Sequence, residues 1–251
     1  MHLREIAHRV LDFCYPGSCA ACSEPCESAT ALCPDCTLKL IRLETDAACE
    51  RCARPIPEPK APCPHCTGKG LRPYDRILRL GLFDDPLKEI IHQMKYHRRW
   101  PLAEVLADRL LKQEPVKGVL SEFDPRRMRI VPMPLYHWRQ VSRGYNQAEV
   151  VARRISRVSK IRLAHPVTRL RNTETQTHLS HTKRVENMKD AFGLTNARCV
   201  RNKHVIIVDD VMTTGATLQA FGRVLQQASP ASLCAIVVAV ADPKHRDFQA
   251  I

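Results

Sequence analysis

Ten of the chain's twelve cysteines lie before residue 67, and eight of them repeat one pattern twice. Cys19, Cys22, Cys33 and Cys36 read C-x2-C-x10-C-x2-C, and Cys49, Cys52, Cys63 and Cys66 repeat that spacing after an offset of 30 residues. Two cysteines separated by two residues sit on one tight turn, and two such turns joined by a hairpin supply the four tetrahedral sulfurs that Zn²⁺ takes in structural sites. The offset marks an internal duplication of one small unit. The spacing therefore predicts up to two structural Zn²⁺ ions, each closed by four thiolates with no position left for a substrate. An interleaved pairing of the knuckles uses the same eight residues, so the spacing leaves open which knuckle joins which. Cys14 and Cys26 fit neither quartet, and Cys199 and Cys234 read as small core residues.

Residues 1–75 hold few large apolar side chains, so metal binding has to supply much of their folding energy. They also hold 9 Lys/Arg against 10 Asp/Glu, and eight thiolates with two Zn²⁺ take that net charge from −1 to −5. The remaining 176 residues carry 30 basic and 16 acidic side chains. The chain's overall charge of +13 thus belongs to its second part. Within that part, residues 126–184 hold 14 basic and 2 acidic side chains, a local +12 that self-repulsion disfavours unless an anion offsets it. The expectation is two domains, 1–75 and 76–251. There is no run of 18 apolar residues, and the opening "MHLREIAHRVLDFCYPG" interrupts its Leu and Ile with charge, so no membrane insertion is expected and the location is read as cytoplasmic.

From residue 76 the pattern alternates between strand and helix. "RILRLGLF" (76–83) alternates as a strand, and the next segment offers Asp85 as N-cap, Pro86 at the first helical position and Leu87, Ile90, Ile91 and Met94 at helical spacing. "PLAEVLADRLL" continues as a helix, "RMRIVPMP" as a strand stopped by prolines, "NQAEVVARRISRVS" as a helix, "HVIIVDD" as a strand, "ATLQAFGRVLQQA" as a helix and "ASLCAIVVAVA" as a last strand. Continuous runs such as "VIIV" and "AIVVAV" suit strands covered on both faces, and intervening helices imply parallel crossovers. The architecture predicted is α/β, an open parallel sheet, and in such sheets ligands sit beyond the carboxyl ends of the strands.

At one such end stands "VIIVDDVMTTGATL" (205–218). Neither G-x-x-x-x-G-K-[ST] nor G-x-G-x-x-G occurs anywhere in the chain, so a phosphate here is held without a P-loop lysine. Thr213 and Thr214 offer hydroxyls, Gly215 admits close approach, and the amides of residues 213–217, Ala216 and Thr217 included, can ring one phosphate at a helix N-terminus. Asp209 and Asp210 would repel a second phosphate but accept hydrogen bonds from neutral hydroxyls. A ribose 5-phosphate unit satisfies both halves.

These residues resemble the phosphoribosyl-pyrophosphate signature of type I phosphoribosyltransferases along the whole stretch. With "YHRRWPLA" (96–103), "VPMPLYHWRQVSRGYNQAE" (131–149), "RLRNTETQTHLSHTKRVENMKDAF" (169–192) and the cysteine knuckles, the chain resembles the ComF family from about Cys19 to Val240. These competence and DNA-utilisation proteins join a double zinc ribbon to a phosphoribosyltransferase domain. The resemblance implies a type I phosphoribosyltransferase-like open parallel sheet and a phosphoribosyltransferase activity with Mg²⁺. It assigns the ribose hydroxyls to Asp209 and Asp210, and the 5-phosphate to Thr213, Thr214, Gly215, Ala216 and Thr217. Residues 132–147 become the pyrophosphate loop, with Arg143 and Gly144 at its turn, and residues 169–184 a loop closing over the anomeric carbon. Arg or Mg²⁺ stabilisation of the leaving pyrophosphate is where rate would be gained.

Two other functions share this fold. In one the basic segment tracks single-stranded DNA, with Arg153, Arg154 and Arg157 on its phosphates and Tyr136, Trp138 and Tyr145 as the nearby stacking faces. In the other the chain senses phosphoribosyl pyrophosphate without turnover. The zinc ribbons are a candidate contact for other DNA-uptake proteins.

Overall fold

A computed structural model describes residues 17–26, 31–171 and 190–241. In chain order these form β1 (Gly17–Ser18), β2 (Pro25–Cys26), α1 (Pro34–Thr45), β3 (Arg76–Leu82), α2 (Leu87–Tyr96), α3 (Pro101–Lys112), α4 (Glu114–Ser121), β4 (Met128–Pro132), α5 (His137–Arg143), α6 (Gln147–Ser159), β5 (Val167–Arg169), β6 (Phe192–Leu194), β7 (His204–Met212), α7 (Ala216–Gln226) and β8 (Ser232–Val240). The central sheet has the order β3-β8-β7-β4 with every pair parallel, as the Ile/Val runs predict. Its two faces read directly from the strand alternation. Ile206, Val208, Ile236 and Val238 join Ile90, Ile91 and Met94 of α2, Leu102, Leu106 and Leu110 of α3, and Val151 and Ile155 of α6 in one cluster. Val205, Ile207, Ala235 and Val237 face the other way, onto Leu218, Phe221 and Leu225 of α7 and Val167 and Phe192 of β5 and β6. Both faces are covered, so β7 and β8 carry no polar alternation until the two acids.

The ribbons straddle the β3 edge of this sheet. The first sends Cys36 and Leu40 into the cluster that holds Leu80, Phe83 and Leu87, and α1 lies so close that a Cβ on Gly81 would come within 3.2 Å of Leu43. The second has its own small core of Cys49, Cys52, Ile56 and Cys63, joined to the α7 face through Leu71.

Three local expectations shift. The acid-bearing strand was expected to end at Asp210, but β7 runs on to Met212 because β8 pairs with it through Met212 and Val240. On its other side, pairing with β4 stops at Pro132 and Val208, so the acids stand on a segment held from one side and open on the other. Asp85 does not cap α2; the helix starts at Leu87 with Pro86 in the cap position and no side-chain bond there. Pro86 brings no N–H, which removes one of the donors a cap exists to satisfy. Cys234 is buried as expected, whereas Cys199 is only half-buried, with its Sγ 3.1 Å from the Asn196 carbonyl. Helices α4 and α5 and the β5–β6 hairpin have no counterpart in the sequence pattern. Among the described residues no helix is long and apolar enough to cross a membrane.

Candidate functional site

The two tetrads assemble in sequential order, which decides the pairing that spacing left open. The four sulfurs of Cys19, Cys22, Cys33 and Cys36 lie within 4.8 Å of one another, and so do those of Cys49, Cys52, Cys63 and Cys66. Sulfurs bound tetrahedrally at about 2.3 Å from a zinc ion are about 3.8 Å apart. The separations here are 3.7 Å for Cys22–Cys33, 3.7 Å for Cys49–Cys66 and 3.6 Å for Cys52–Cys63. Burial and the neighbouring cysteines push the Cys36 and Cys52 thiols up, so four thiolates cannot coexist there without a cation between them. Backbone amides already point at the sulfurs, with Ala21 N–H donating to Cys19 Sγ and Cys36 N–H to Cys33 Sγ, both at 3.5 Å. The residues fit two structural zinc ions.

At the carboxyl end of the sheet, Asp209 and Asp210 are fixed by their own backbone. Asp209 Oδ1 accepts from Asp210 N–H at 2.9 Å, and Asp210 Oδ1 accepts from Val211 N–H at 2.7 Å. Asp209 is buried, and burial together with the Asp210 charge pushes its carboxyl up to about 8. Burial would raise Asp210 as well, but the Lys95 ammonium, 3.2 Å from Asp210 Oδ2, outweighs it and holds that carboxyl below the usual range. The pair thus divides into one acid that favours its proton and one that stays charged.

The loop that follows turns at Gly215, whose φ of +84° places it in the left-handed region at the N-cap of α7. The left-handed conformation favours glycine there, and a Cβ would come within 2.7 Å of the Leu71 side-chain tip, which would have to shift. Thr214 Oγ1 accepts from Ala216 N–H at 3.3 Å, and Thr217 opens the first turn of the helix. The backbone N–H groups of this helix start, with the positive end of its dipole, can receive an anion next to the acids.

Residues 137–147 lie at the same end of the sheet. Helix α5 ends at Arg143, and Gly144 caps it at a φ of +80°. The Arg143 guanidinium lies 5.7 Å over the Tyr96 ring and its charge helps to hold Asp210 ionised. Tyr145 donates its hydroxyl proton to the Met94 carbonyl, and Asn146 Nδ2 donates to the Met133 carbonyl at 2.9 Å. The end of α2 and the loop after β4 are therefore tied together over the acids. Gln147, the first residue of α6, is 1% exposed and its Nε2 has no hydrogen-bond partner among the described residues.

So the structure brings Asp209, Asp210, Thr213, Thr214, Gly215, Ala216, Thr217, Arg143 and Gly144 to one end of the sheet. It adds Lys95, which the sequence pattern assigns only to the polar face of an amphipathic helix. Arg153, Arg154 and Arg157 lie further along α6. Arg153 meets Glu149 at 2.8 Å, Arg154 meets Asp108 at 2.7 Å and Arg157 meets Glu104 at 3.8 Å. Arg153 thus pairs within α6 while Arg154 and Arg157 tie α6 to α3, and each guanidinium already faces a carboxylate. Residues 172–184 of the expected closing loop lie outside the described residues.

Sheet, acids and cradle together define a phosphoribosyltransferase-type domain carrying a double zinc ribbon. Residues 142–249 match the phosphoribosyl transferase domain family and residues 10–67 the double zinc ribbon domain family. The chain is 34% identical to the DNA utilization protein YhgH of Salmonella typhi over 221 residues, 86% of this chain and 87% of that one. It is also 34% identical to Competence protein F of Haemophilus influenzae over 163 residues, 61% of this chain and 68% of that one. Among solved structures, hypoxanthine-guanine phosphoribosyltransferase of Leishmania tarentolae in complex with GMP is 12% identical, covering 58% of this chain and 79% of that one at a TM-score of 0.36. The chain belongs to the ComF family of competence and DNA-utilisation proteins.

Proposed function

We propose that the chain binds phosphoribosyl pyrophosphate with Mg²⁺ and acts as a phosphoribosyltransferase in the uptake or use of external DNA. The observation that carries this reading is the adjacency of two carboxylates, on a strand segment that β4 leaves unpaired, and a glycine turn at the start of α7. A phosphate in the cradle places the ribose hydroxyls against Asp209 and Asp210. Two carboxylate groups beside a diphosphate are a fitting oxygen set for a hard dication, and Mg²⁺ held there would neutralise charge on the leaving group. Hydroxyls or a cation at Asp209 also relieve the repulsion that holds its proton on. Arg143, whose charge already acts on Asp210, would offset the charge of the pyrophosphate. In the reaction a nucleophile forms a bond to the anomeric carbon as the bond to pyrophosphate breaks. In this reading the protein is cytoplasmic, and the zinc ribbons dock other DNA-uptake proteins.

A second reading, single-stranded DNA held without turnover, draws on the +12 of residues 126–184 and on Trp138, which is 64% exposed. It has less support at α6, where Arg153, Arg154 and Arg157 already face carboxylates. Pyrophosphate release separates the two readings when phosphoribosyl pyrophosphate is offered with nucleobases and with single-stranded DNA ends in turn. Release that depends on one acceptor supports the transferase. Binding of DNA that weakens steeply with salt, with no release for any acceptor, supports the second reading.

A further inference from the structure

The phosphate cradle is gripped from behind by the second zinc ribbon. Arg54 Nη2 donates to the Thr213 carbonyl at 3.3 Å and to the Thr214 carbonyl at 3.4 Å, across 159 and 160 residues of sequence. A trans peptide is planar, with its C=O and N–H pointing in opposite directions. Holding the Thr213 carbonyl therefore aims the Thr214 N–H away from Arg54, and holding the Thr214 carbonyl does the same for the Gly215 N–H. Those are two of the donors that a phosphate at this turn needs. Their orientation is otherwise weakly determined, because a glycine with φ of +84° follows directly and can rotate at little cost.

Arg54 is itself built into the metal site. Its backbone N–H approaches Cys52 Sγ, and its carbonyl accepts from Cys49 N–H at 2.9 Å. Ala53 N–H donates to the Cys49 carbonyl at 2.7 Å, which closes the knuckle between the two ligands. The same module braces α7 further along. Leu71 packs on Gly215, Pro73 lies against Gly222, and Tyr74 donates its hydroxyl to the Leu218 carbonyl at 2.7 Å. The first tetrad packs elsewhere, against α1, β3 and α2.

We propose that Arg54 is a positioning residue of the phosphate cradle, so that the second cysteine tetrad, and not the first, is part of the sugar-phosphate site. The proposal rests on the reading of residues 213–217 as a phosphate cradle. It accounts for a zinc ribbon placed against a catalytic-type loop without any open metal position.

The test compares the full, zinc-loaded chain with Arg54→Ala and Arg54→Lys, reading zinc content, hydrogen exchange of the amides of residues 213–217, and affinity for three probes. Phosphoribosyl pyrophosphate with Mg²⁺ and ribose 5-phosphate both place a phosphate in the cradle, whereas inorganic pyrophosphate does not. With two zinc ions retained, Arg54→Ala should exchange faster at residues 213–217 and bind the first two probes about tenfold more weakly or worse, the range of a charged hydrogen-bond pair. Pyrophosphate affinity should change less than about twofold, and Arg54→Lys should recover part of the loss. Unchanged exchange and unchanged affinity in Arg54→Ala overturn the proposal while leaving a wild-type cradle that binds phosphate. An equal loss for all three probes also overturns it, since a general loosening does that. If the wild type binds neither sugar phosphate but exchange still rises in Arg54→Ala, the ligand reading fails and the hold of Arg54 on the loop stands. Should Arg54→Ala lose zinc, Arg54→Lys decides: retained zinc with a selective loss for the two sugar phosphates supports the proposal, and any other pattern overturns it.

Discussion

The two halves of this molecule are held by opposite means. Among the described residues each ribbon buries only four or five side chains, two or more of them cysteines, while the sheet buries aliphatic residues on both faces along the length of β7 and β8. One half depends on a bound ion and the other on removal of apolar surface from water. The difference shows in how the halves meet. The first ribbon contributes Cys36 and Leu40 to one face of the sheet's core, whereas the second gives the other face only the small Ala53 and the partly buried Leu71 and adds the polar contact of Arg54. A metal-held module can thus lend a polar side chain to a site without disturbing the core beneath it.

Zinc removal breaks this contrast most strongly, because structural zinc contributes about 10–16 kcal/mol in isolated ribbon modules. Strong chelation should unfold residues 19–66 and leave the parallel sheet folded at lower Tm, as hydrogen exchange resolved along the chain would show. Loss of the sheet in the same step would mean that the halves are one cooperative unit.

Next in size is Gly215→Ala. The added Cβ meets Leu71 at 2.7 Å and the residue must hold a φ of +84°, a strain of about 1–3 kcal/mol. Its thermal midpoint should fall by several degrees, about 2–4 °C per kcal/mol for a chain of this size. Affinity for ribose 5-phosphate should fall further than that stability loss alone explains, and equal binding by wild type and variant would remove the cradle from its assigned role.

The last effect is a pH dependence, confined to one end of the sheet. Asp209 is pushed up to about 8, above the value of about 3.9 for a free aspartate, so its contribution to stability is fully present below pH ~4 and is lost as pH rises through about 8. Asp209→Asn should therefore match wild type near pH 4 and melt higher than wild type at pH 9. Asp210 has the opposite sign, since Lys95 holds it low and its contribution is lost as pH falls. A variant that melts lower than wild type at pH 9 would show that Asp209 is already ionised without penalty.

Much of this was legible because the signals are local. Each tetrad lies within 18 residues, the acids and cradle within nine, and the strand runs are uninterrupted, so spacing and apolar continuity identify them. Contacts between distant segments left no such mark. Lys95 reads as one polar residue on a helix whose buried stripe is Leu87, Ile90, Ile91 and Met94, and its pairing with Asp210 needs the end of α2 to reach the end of β7. Arg54 reads as one more charge after a knuckle, and only the packed fold sets it behind Thr213. Arg153, Arg154 and Arg157 read as surplus positive charge because Glu104 and Asp108, which face two of them, come from a helix some 50 residues earlier. Counting charge along a segment cannot see partners outside it.

The central claim is that the two acids and the cradle form one sugar-phosphate site. Titration of the zinc-loaded chain with phosphoribosyl pyrophosphate and Mg²⁺, beside the Asp209→Asn/Asp210→Asn double variant, tests it most directly. Saturable binding by the wild type that the double variant loses, with zinc and fold retained, is the result expected. Binding of equal strength by both proteins, or none by the wild type at millimolar ligand, would contradict it.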